Sequence, residues 1–421
     1  MTQLLGPFTQ ILPMTDLANK GPLNPDGMPI IDNGGIVVDN GHIISVGNYQ
    51  ELSKSNHEKI SFEHPTVAIP SLIDAHTHIC FAGSRSSDYT KRLNGKSYQE
   101  ISAEGGGILD TVRHTRKASE EELVEGILAR CETLLSQGVG TCEVKSGYGL
   151  TVDDELKMLR AIKIANKQTP ITLVPTCLAA HTLPPEFTYA PDYLNHLLSD
   201  LLPQVQKESL ANRVDIFVEK GAFSVNDARH YLHVAHDMGF ALTIHADQFS
   251  KGGGFLAADV HALSADHLEA SKESTLRALR DGGVIPLVLP GASIGLGIPF
   301  APARKILDVG LPLVIASDWN PGSAPMGDLL TQASILAAYE KLNACEVFAA
   351  MTARAALALE MSDHGSLAPG KVADITLFPT DDYREILYHQ GTLKPCHTIL
   401  SGKTQWSAFD GVAKNKKLST C

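Results

Sequence analysis

The chain has 421 residues, 43% hydrophobic and 19% charged, an ordinary globular composition that excludes intrinsic disorder. Its formal net charge of −12 argues against non-specific binding to nucleic acid or anionic membrane. At about 150 residues per domain the length suggests two to three domains, a soft number because one (β/α)₈ barrel uses about 250 residues.

Seven cysteines (Cys80, Cys131, Cys142, Cys177, Cys345, Cys396 and Cys421) are odd in number and lack C-x-x-C spacing. They read as reduced thiols, not a disulfide framework. The opening MTQLLGPFTQ has no basic leader before an apolar run, so no secretory signal is expected. The longest uncharged stretch, Gly282 to Ala303, contains Pro286, Pro290, Pro299 and Pro302 and cannot be one membrane helix.

In chain order, the first seventy residues are rich in turn signals and short β runs. Asn33-Gly34-Gly35 leads into Ile36-Val37-Val38, and Asn40-Gly41 into Ile43-Ile44-Ser45-Val46, a hairpin pattern. The middle then alternates apolar strands with amphipathic helices. The strands are expected at Val67 to His76, Gly140 to Lys145, Ile171 to Ala179, Val214 to Val218, Ala241 to His245, Ala262 to His267, Val284 to Leu289 and Leu313 to Ala316. Ser119-Glu120-Glu121-Glu122 is a capping box, followed by apolar residues at helical spacing. Ser224-Val225-Asn226-Asp227 opens another helix. The connection after Leu289 gives the poorest helix signal. Near the C-terminus, Gly365 to Lys371 is a turn and Ala373 to Phe378 a strand, so both ends read as β. Eight strands, most followed by helices, predict a (β/α)₈ barrel.

Seventeen histidines direct attention to metal. In Asp74-Ala75-His76-Thr77-His78 the two histidines share one face of a strand and can chelate a divalent ion. His245, His267 and Asp318 each close a predicted strand, at the barrel end where active sites are built. Imidazole and carboxylate donors without thiolate suit zinc or iron(II). Such an ion lowers the pKa of a bound water toward about 7. Asp318 is then placed to move the proton.

With the tail turn Gly365-x-Leu367-x-x-Gly370-Lys371-x-Ala373-Asp374, these residues resemble the amidohydrolase superfamily. The resemblance implies a metal-bearing barrel over 67–359 and a small β-sandwich built from 1–66 and 360–421. A finer likeness lies in His78 to Arg85, Lys145 to Gly149, Ala180-His181, His245 to Gln248 and Ser317 to Ser323. It is to the branch that hydrolyses 4-imidazolone-5-propanoate to N-formimidoyl-L-glutamate in cytoplasmic histidine breakdown.

That resemblance makes His76, His78, His245 and Asp318 the ligands of one zinc or iron ion (Zn2+ or Fe2+/Fe3+). It makes Asp318 and His267 the catalytic pair. It assigns Arg85, Tyr98, Tyr148, His181, Gln248, Asn320, Gly322 and Ser323 to substrate, and implies a cytoplasmic homodimer. Arg85 suits a propionate, because guanidinium grips carboxylate bidentately. His181 is expected to polarise a carbonyl or bind the ring. Tyr148, between Gly147 and Gly149, is expected on a flexible loop, and Gln248 can hydrogen-bond the ring but cannot act as a base.

Some amidohydrolases bridge two metals with a carboxylated lysine, but Lys220, after the fourth strand, does not closely resemble that setting, so a mononuclear site is expected. The rivals are a cyclic-imide hydrolase, a nucleobase deaminase and, more remotely, a serine hydrolase using Ser293 in Gly291-Ala292-Ser293-Ile294-Gly295. That elbow needs a helix directly after the serine, and Leu296-Gly297-Ile298-Pro299 opposes one. Ser401-Gly402-Lys403-Thr404 lacks the upstream glycine of a P-loop, with His397 in its place. Gly105 to Gly107 and Gly252 to Gly254 read as mobile loops near the site.

Overall fold

The computed structural model describes residues 2–62, 64–96, 100–101 and 104–409, so Tyr98 and Cys421 lie outside the described residues. The two chain ends build one mixed sheet from β1 (Gln3–Ile11), β2 (Ile31–Asp39), β3 (His42–Asn48), β4 (Glu58–Ile60) and β5 (Val67–Pro70), joined by three strands from the C-terminal part of the chain. A separate parallel sheet of eight strands runs in sequence order. It comprises β6 (Leu72–Asp74), β7 (Val139–Lys145), β8 (Thr172–Ala180), β9 (Arg213–Val218), β10 (Ala241–Ala246), β11 (Ser264–His267), β12 (Ile285–Val288) and β13 (Val314–Ile315). Every residue of β7 and β11 is buried. That fits parallel strands covered on both faces, and it means that Glu143 and Lys145 in β7 and Asp266 and His267 in β11 are buried as well.

The parallel sheet closes between its first and last strands just beyond their ladders. Asp318 N donates to His76 O at 3.0 Å, and His78 N to Trp319 O at 2.9 Å. Below these, Asp74 accepts from Ser317 N at 2.9 Å and from Ser317 Oγ at 2.5 Å. The predicted (β/α)₈ barrel is therefore present.

The terminal sheet adds β14 (Ile375–Phe378), β15 (His397–Leu400) and β16 (Lys403–Ser407), in the order β16-β15-β14-β5-β1-β2-β3 with β4 beside β1. The β2–β3 hairpin reaches across to the segment before β14. Ile43 N donates to Lys371 O at 2.8 Å, and Ala373 N to Gly41 O at 2.9 Å. The sheet thus folds over its own core, where Phe8, Ile11, Ile36, Ile43, Ile375 and Ile399 meet.

Two local expectations are corrected. The run Val67 to His76 is two strands, because the chain changes partners within one residue: Ser71 N donates to Asp374 O and Leu72 N to Gly138 O. Val67–Pro70 therefore pairs with β1 and β14, outside the barrel ladder. The Gly/Pro-rich connection after Leu289 does form helices, Pro290–Leu296 and Ala303–Asp308. Pro290 starts the first, where its missing N–H is harmless, and Gly297 ends it at φ 68°. Ser293 is thus inside a helix and not at a strand-to-helix elbow, which removes the serine-hydrolase geometry by a different route from the one expected.

The capping box at Ser119 forms as expected, with Glu122 N donating to Ser119 Oγ at 3.1 Å and Ser119 N to Glu122 Oε2 at 2.9 Å. The helix it starts, Glu120–Ser136, buries Leu123, Ile127, Cys131, Leu134 and Leu135. Ser224 caps Val225–Asp237 with its side chain alone, accepting from Asp227 N at 3.2 Å. Among the described residues six cysteines are free and buried, and no helix is long and apolar enough to cross a membrane.

Candidate active site

The chemistry sits at the C-terminal end of the barrel. His76 and His78 follow β6, His245 lies in β10, His267 ends β11 and Asp318 follows β13. All five are nearly or completely buried. His78 Nε2 is 3.3 Å from His76 Nε2, 3.4 Å from His245 Nε2 and 3.3 Å from Asp318 Oδ1. His76 Nε2 is 3.5 Å from the same oxygen. Tetrahedral N and O ligands about 2.0–2.1 Å from an ion stand about 3.3–3.4 Å apart. Four edges of the donor set match that spacing. A pair of imidazole nitrogens at this distance can share one proton, but three imidazoles and a carboxylate meeting at one buried point make a donor set that fits a metal ion.

His267 joins from one side: one ligand atom from each of His76, His245 and His267 falls in a common group. Its Nδ1 is 3.6 Å from Glu269 Oε1 and makes no hydrogen bond among the described residues. His267 and Asp318 have φ of 80° and 53°, a conformation that side chains with a Cβ seldom adopt. The strand ends are bent to aim these two groups inward, and strain of this kind gathers at functional sites.

Burial lowers the pKa of His78 to about 3, and burial also lowers that of His245. Both imidazoles are therefore neutral, as metal ligation requires. Burial and Lys145 oppose charge on His76, but hydrogen bonds to Asp266 and Asp318 prevail and raise its pKa to about 9, so a metal ion bound at Nε2 must displace the proton there while Nδ1 keeps its bond to Asp266. Burial also opposes ionisation of Asp318, yet hydrogen bonds from His76 and His78 hold its carboxyl well below the usual range.

Behind the histidines lies a layer of charge that sequence reasoning missed. His76 Nδ1 donates to Asp266 Oδ2 at 2.7 Å, and His245 Nδ1 is 3.0 Å from Asp215 Oδ2. Lys145, wholly buried at the end of β7, faces Glu143, Asp215 and Asp266. The available signal was ionisable residues in otherwise apolar strands, as in Val214-Asp215-Ile216.

Around the centre, His181 stacks on His78 with ring centroids 5.2 Å apart. Its Nδ1 lies 3.0 Å from Gly147 O. A carbonyl only accepts, so Nδ1 holds the proton and Nε2 is left as an acceptor. Burial, with His78 and His245 nearby, keeps the ring neutral. Tyr148 is buried, 5.4 Å from the His181 ring. Its loop is anchored, not flexible: the Glu155 carboxylate accepts from Gly147 N at 3.0 Å and from Gly149 N and Leu150 N, each at 2.8 Å. Gly147 is required, since a Cβ there would lie 2.8 Å from Leu178 O at φ 109°.

Arg85 lines a cavity of about 270 Å³ with Phe81, Tyr89, Trp319 and Gly322. Gln248 is buried just after β10. The Asn320 side chain staples its own loop, accepting from Gly322 N and Ser323 N, each at 2.8 Å, and donating to Asp318 O at 2.7 Å. Ser323 Oγ is 3.5 Å from Asp318 Oδ2. Lys220 is exposed and takes no part in the cluster. Gly252 to Gly254 is not a mobile loop either: it leads into the helix Gly253–Asp259, and Asp247 Oδ1 accepts from Gly252 N and Gly254 N.

Residues 67–405 match the amidohydrolase family model, and the chain belongs to that family of metal-dependent hydrolases. Among curated relatives, "Imidazolonepropionase" of Symbiobacterium thermophilum is 40% identical over 371 residues, covering 86% of this chain and 87% of its own. "Imidazolonepropionase" of Bacillus velezensis is 38% identical over 404 residues, covering 94% and 96%. Within the amidohydrolases the chain therefore belongs with the imidazolonepropionases. A triazine hydrolase from Arthrobacter aurescens shares the fold at TM-score 0.71 and 16% identity, with 99% of each chain covered. An adenosine deaminase from Xanthomonas campestris with bound zinc does so at TM-score 0.71 and 15% identity, with 99% and 97% covered.

Proposed function

We propose that the chain hydrolyses 4-imidazolone-5-propanoate to N-formimidoyl-L-glutamate, using one divalent ion held by His76, His78, His245 and Asp318. The observation behind this reading is the donor set spaced 3.3–3.5 Å apart, together with a cavity lined by Arg85 and by Trp319 and Asn320, the two residues that follow Asp318. Zn2+ and iron both suit neutral imidazoles and a carboxylate. A bound ion supplies Lewis acidity, making water nucleophilic near neutral pH and polarising a carbonyl.

The residues divide the remaining work. Arg85 grips the propionate through its Nη atoms. His181 Nε2 accepts from a ring N–H, so of the two expected roles it binds the ring. Tyr148 walls the pocket, and Gln248 hydrogen-bonds the ring without acting as a base. Asp318 takes a proton from the attacking water, whose oxygen adds to the ring carbonyl carbon. As the ring C–N bond breaks, Asp318 returns that proton to the departing nitrogen. His267 orients the water. Asn320, Gly322 and Ser323 shape the far wall and keep Asp318 in place; Tyr98 completes the assigned set.

The working division of the chain is 67–359 for the hydrolase unit and 1–66 with 360–421 for the β unit. A cytoplasmic homodimer without nucleic-acid or membrane partners completes the reading, on the strength of the family likeness. The test is a spectrophotometric assay with 4-imidazolone-5-propanoate on metal-analysed protein, before and after chelation. Turnover proportional to bound metal is expected. Preferential turnover of a nucleobase would overturn the substrate assignment.

A further inference from the structure

The centre contains a buried cation of its own. Lys145 Nζ is 2.8 Å from Glu143 Oε2, 2.8 Å from Asp215 Oδ2 and 3.6 Å from Asp266 Oδ2. Two of those oxygens have a second task. Asp215 Oδ2 is 3.0 Å from His245 Nδ1, and Asp266 Oδ2 is 2.7 Å from His76 Nδ1. The same carboxylate atoms that meet the lysine thus meet the back of two histidines.

We propose that Lys145 is the positioning residue of the metal centre, one ammonium fixing the two carboxylates that orient His76 and His245. The proposal rests on the ligand assignment made above. Two observations and one electrostatic argument converge on it. First, Asp215, His245 and Asp266 lie on three consecutive strands, and their ligand atoms cluster closely enough to hold a metal ion. Lys145 faces both carboxylates of that group and supplies the cation they need. Second, Glu143 anchors the lysine from its own strand and is itself held by Thr176 Oγ1, which donates at 2.5 Å. Third, removing the ammonium would leave three buried carboxylates facing one another, an arrangement strongly destabilised in low dielectric.

Lys145 is charged in this setting. Burial works against its charge, but Asp215, Glu143 and Asp266 outweigh burial and raise its pKa above the ordinary lysine value. A lysine suits the position because a compact point charge can face several strands, whereas a planar guanidinium would impose its fork. The consequence for the ligands is direct. Asp266 hydrogen-bonds His76, and Asp215 faces His245 at ion-pair distance; partners at the back of metal-ligating histidines fix ring orientation and raise basicity, and their loss typically costs about ten- to a hundredfold in metal affinity.

The experiment measures Zn2+ affinity by competition with a chromophoric chelator on stripped protein, with the melting temperature of the stripped form recorded alongside. Lys145→Met is the direct variant. Lys145→Met/Glu143→Gln removes one charge of each sign and is read where the single variant does not fold. The expected result is an affinity about ten- to a hundredfold weaker in folded variant protein. Parental affinity in the folded variant overturns the proposal, even if the melting temperature falls, because that marks a purely structural role. Failure of the parent itself to bind Zn2+ would overturn the ligand assignment instead, and this role with it.

Discussion

Arg85 Nε donates to Asp88 Oδ2 at 2.7 Å, and the same carboxylate oxygen accepts from Gly107 N at 2.9 Å. One buried aspartate therefore ties the cavity-lining arginine to the backbone of Gly107, through Nε and not through the Nη atoms. A hydrogen bond to a charged group contributes about 1.5–3 kcal/mol. Arg85→Ala should raise KM about ten- to a hundredfold with a smaller change in kcat. Asp88→Ala should raise KM in the same direction by less, since the arginine remains but is no longer aimed. Steady-state kinetics decide, and an unchanged KM for Arg85→Ala would refute its role.

Asp318→Asn preserves size but loses the proton acceptor and one anionic ligand. Turnover should fall by at least about 10²–10⁴-fold, the usual size of a general acid–base contribution. Metal content, measured on the same sample, should also fall. Near-parental kcat in metal-replete protein would exclude Asp318 from proton transfer.

Burial raises the Asp74 pKa from 3.8 to about 6, against the opposing hydrogen bonds from Ser317. A raised folded-state pKa means that the native protein holds the proton more tightly than the unfolded chain. The associated stability is present below pH 3.8 and is lost as pH rises through about 6. Asp74→Asn can keep both Ser317 hydrogen bonds if the hydroxyl turns to accept. Its stability should therefore depend less on pH between 4 and 6 than that of the parent, both measured by denaturant titration of stripped protein. Identical slopes would contradict the assignment.

Glu155→Gln leaves at least one of three loop N–H groups opposite an amide donor. The cost should be about 1–3 kcal/mol of stability, with a raised KM because the Tyr148 loop loosens. A variant with parental melting temperature and KM would show that the anchor is dispensable.

Chelation should abolish turnover and lower the melting temperature, and added Zn2+ should restore both. A ligand at 100 times its Kd stabilises the native state by about 2.7 kcal/mol. Calorimetry across a Zn2+ series provides the measurement, and a melting temperature indifferent to Zn2+ would contradict the site.

The five central residues were legible because each follows a readable local pattern. His76 and His78 share a face two residues apart, and His245, His267 and Asp318 close apolar runs. The helix at Glu120 was equally plain from its capping box. What sequence patterns concealed was cooperation across strands. Lys145, Asp215 and Asp266 look like unrelated charges until β7, β9 and β11 bring them together. Glu155 looks like an ordinary first-turn acid, yet it organises a loop that two glycines made appear loose. The split at Ser71 was hidden because one apolar run serves two sheets, and periodicity does not mark a change of partner.

The hydrogen bonds from Asp318 N to His76 O and from His78 N to Trp319 O join the first barrel segment to the last. The contacts that close the ring are therefore also the ones that bring Asp318 to the paired histidines. A nascent polypeptide that has not yet added its eighth strand can present the paired imidazoles but not their carboxylate. Competence for hydrolysis therefore arrives late in synthesis, as the circle is completed.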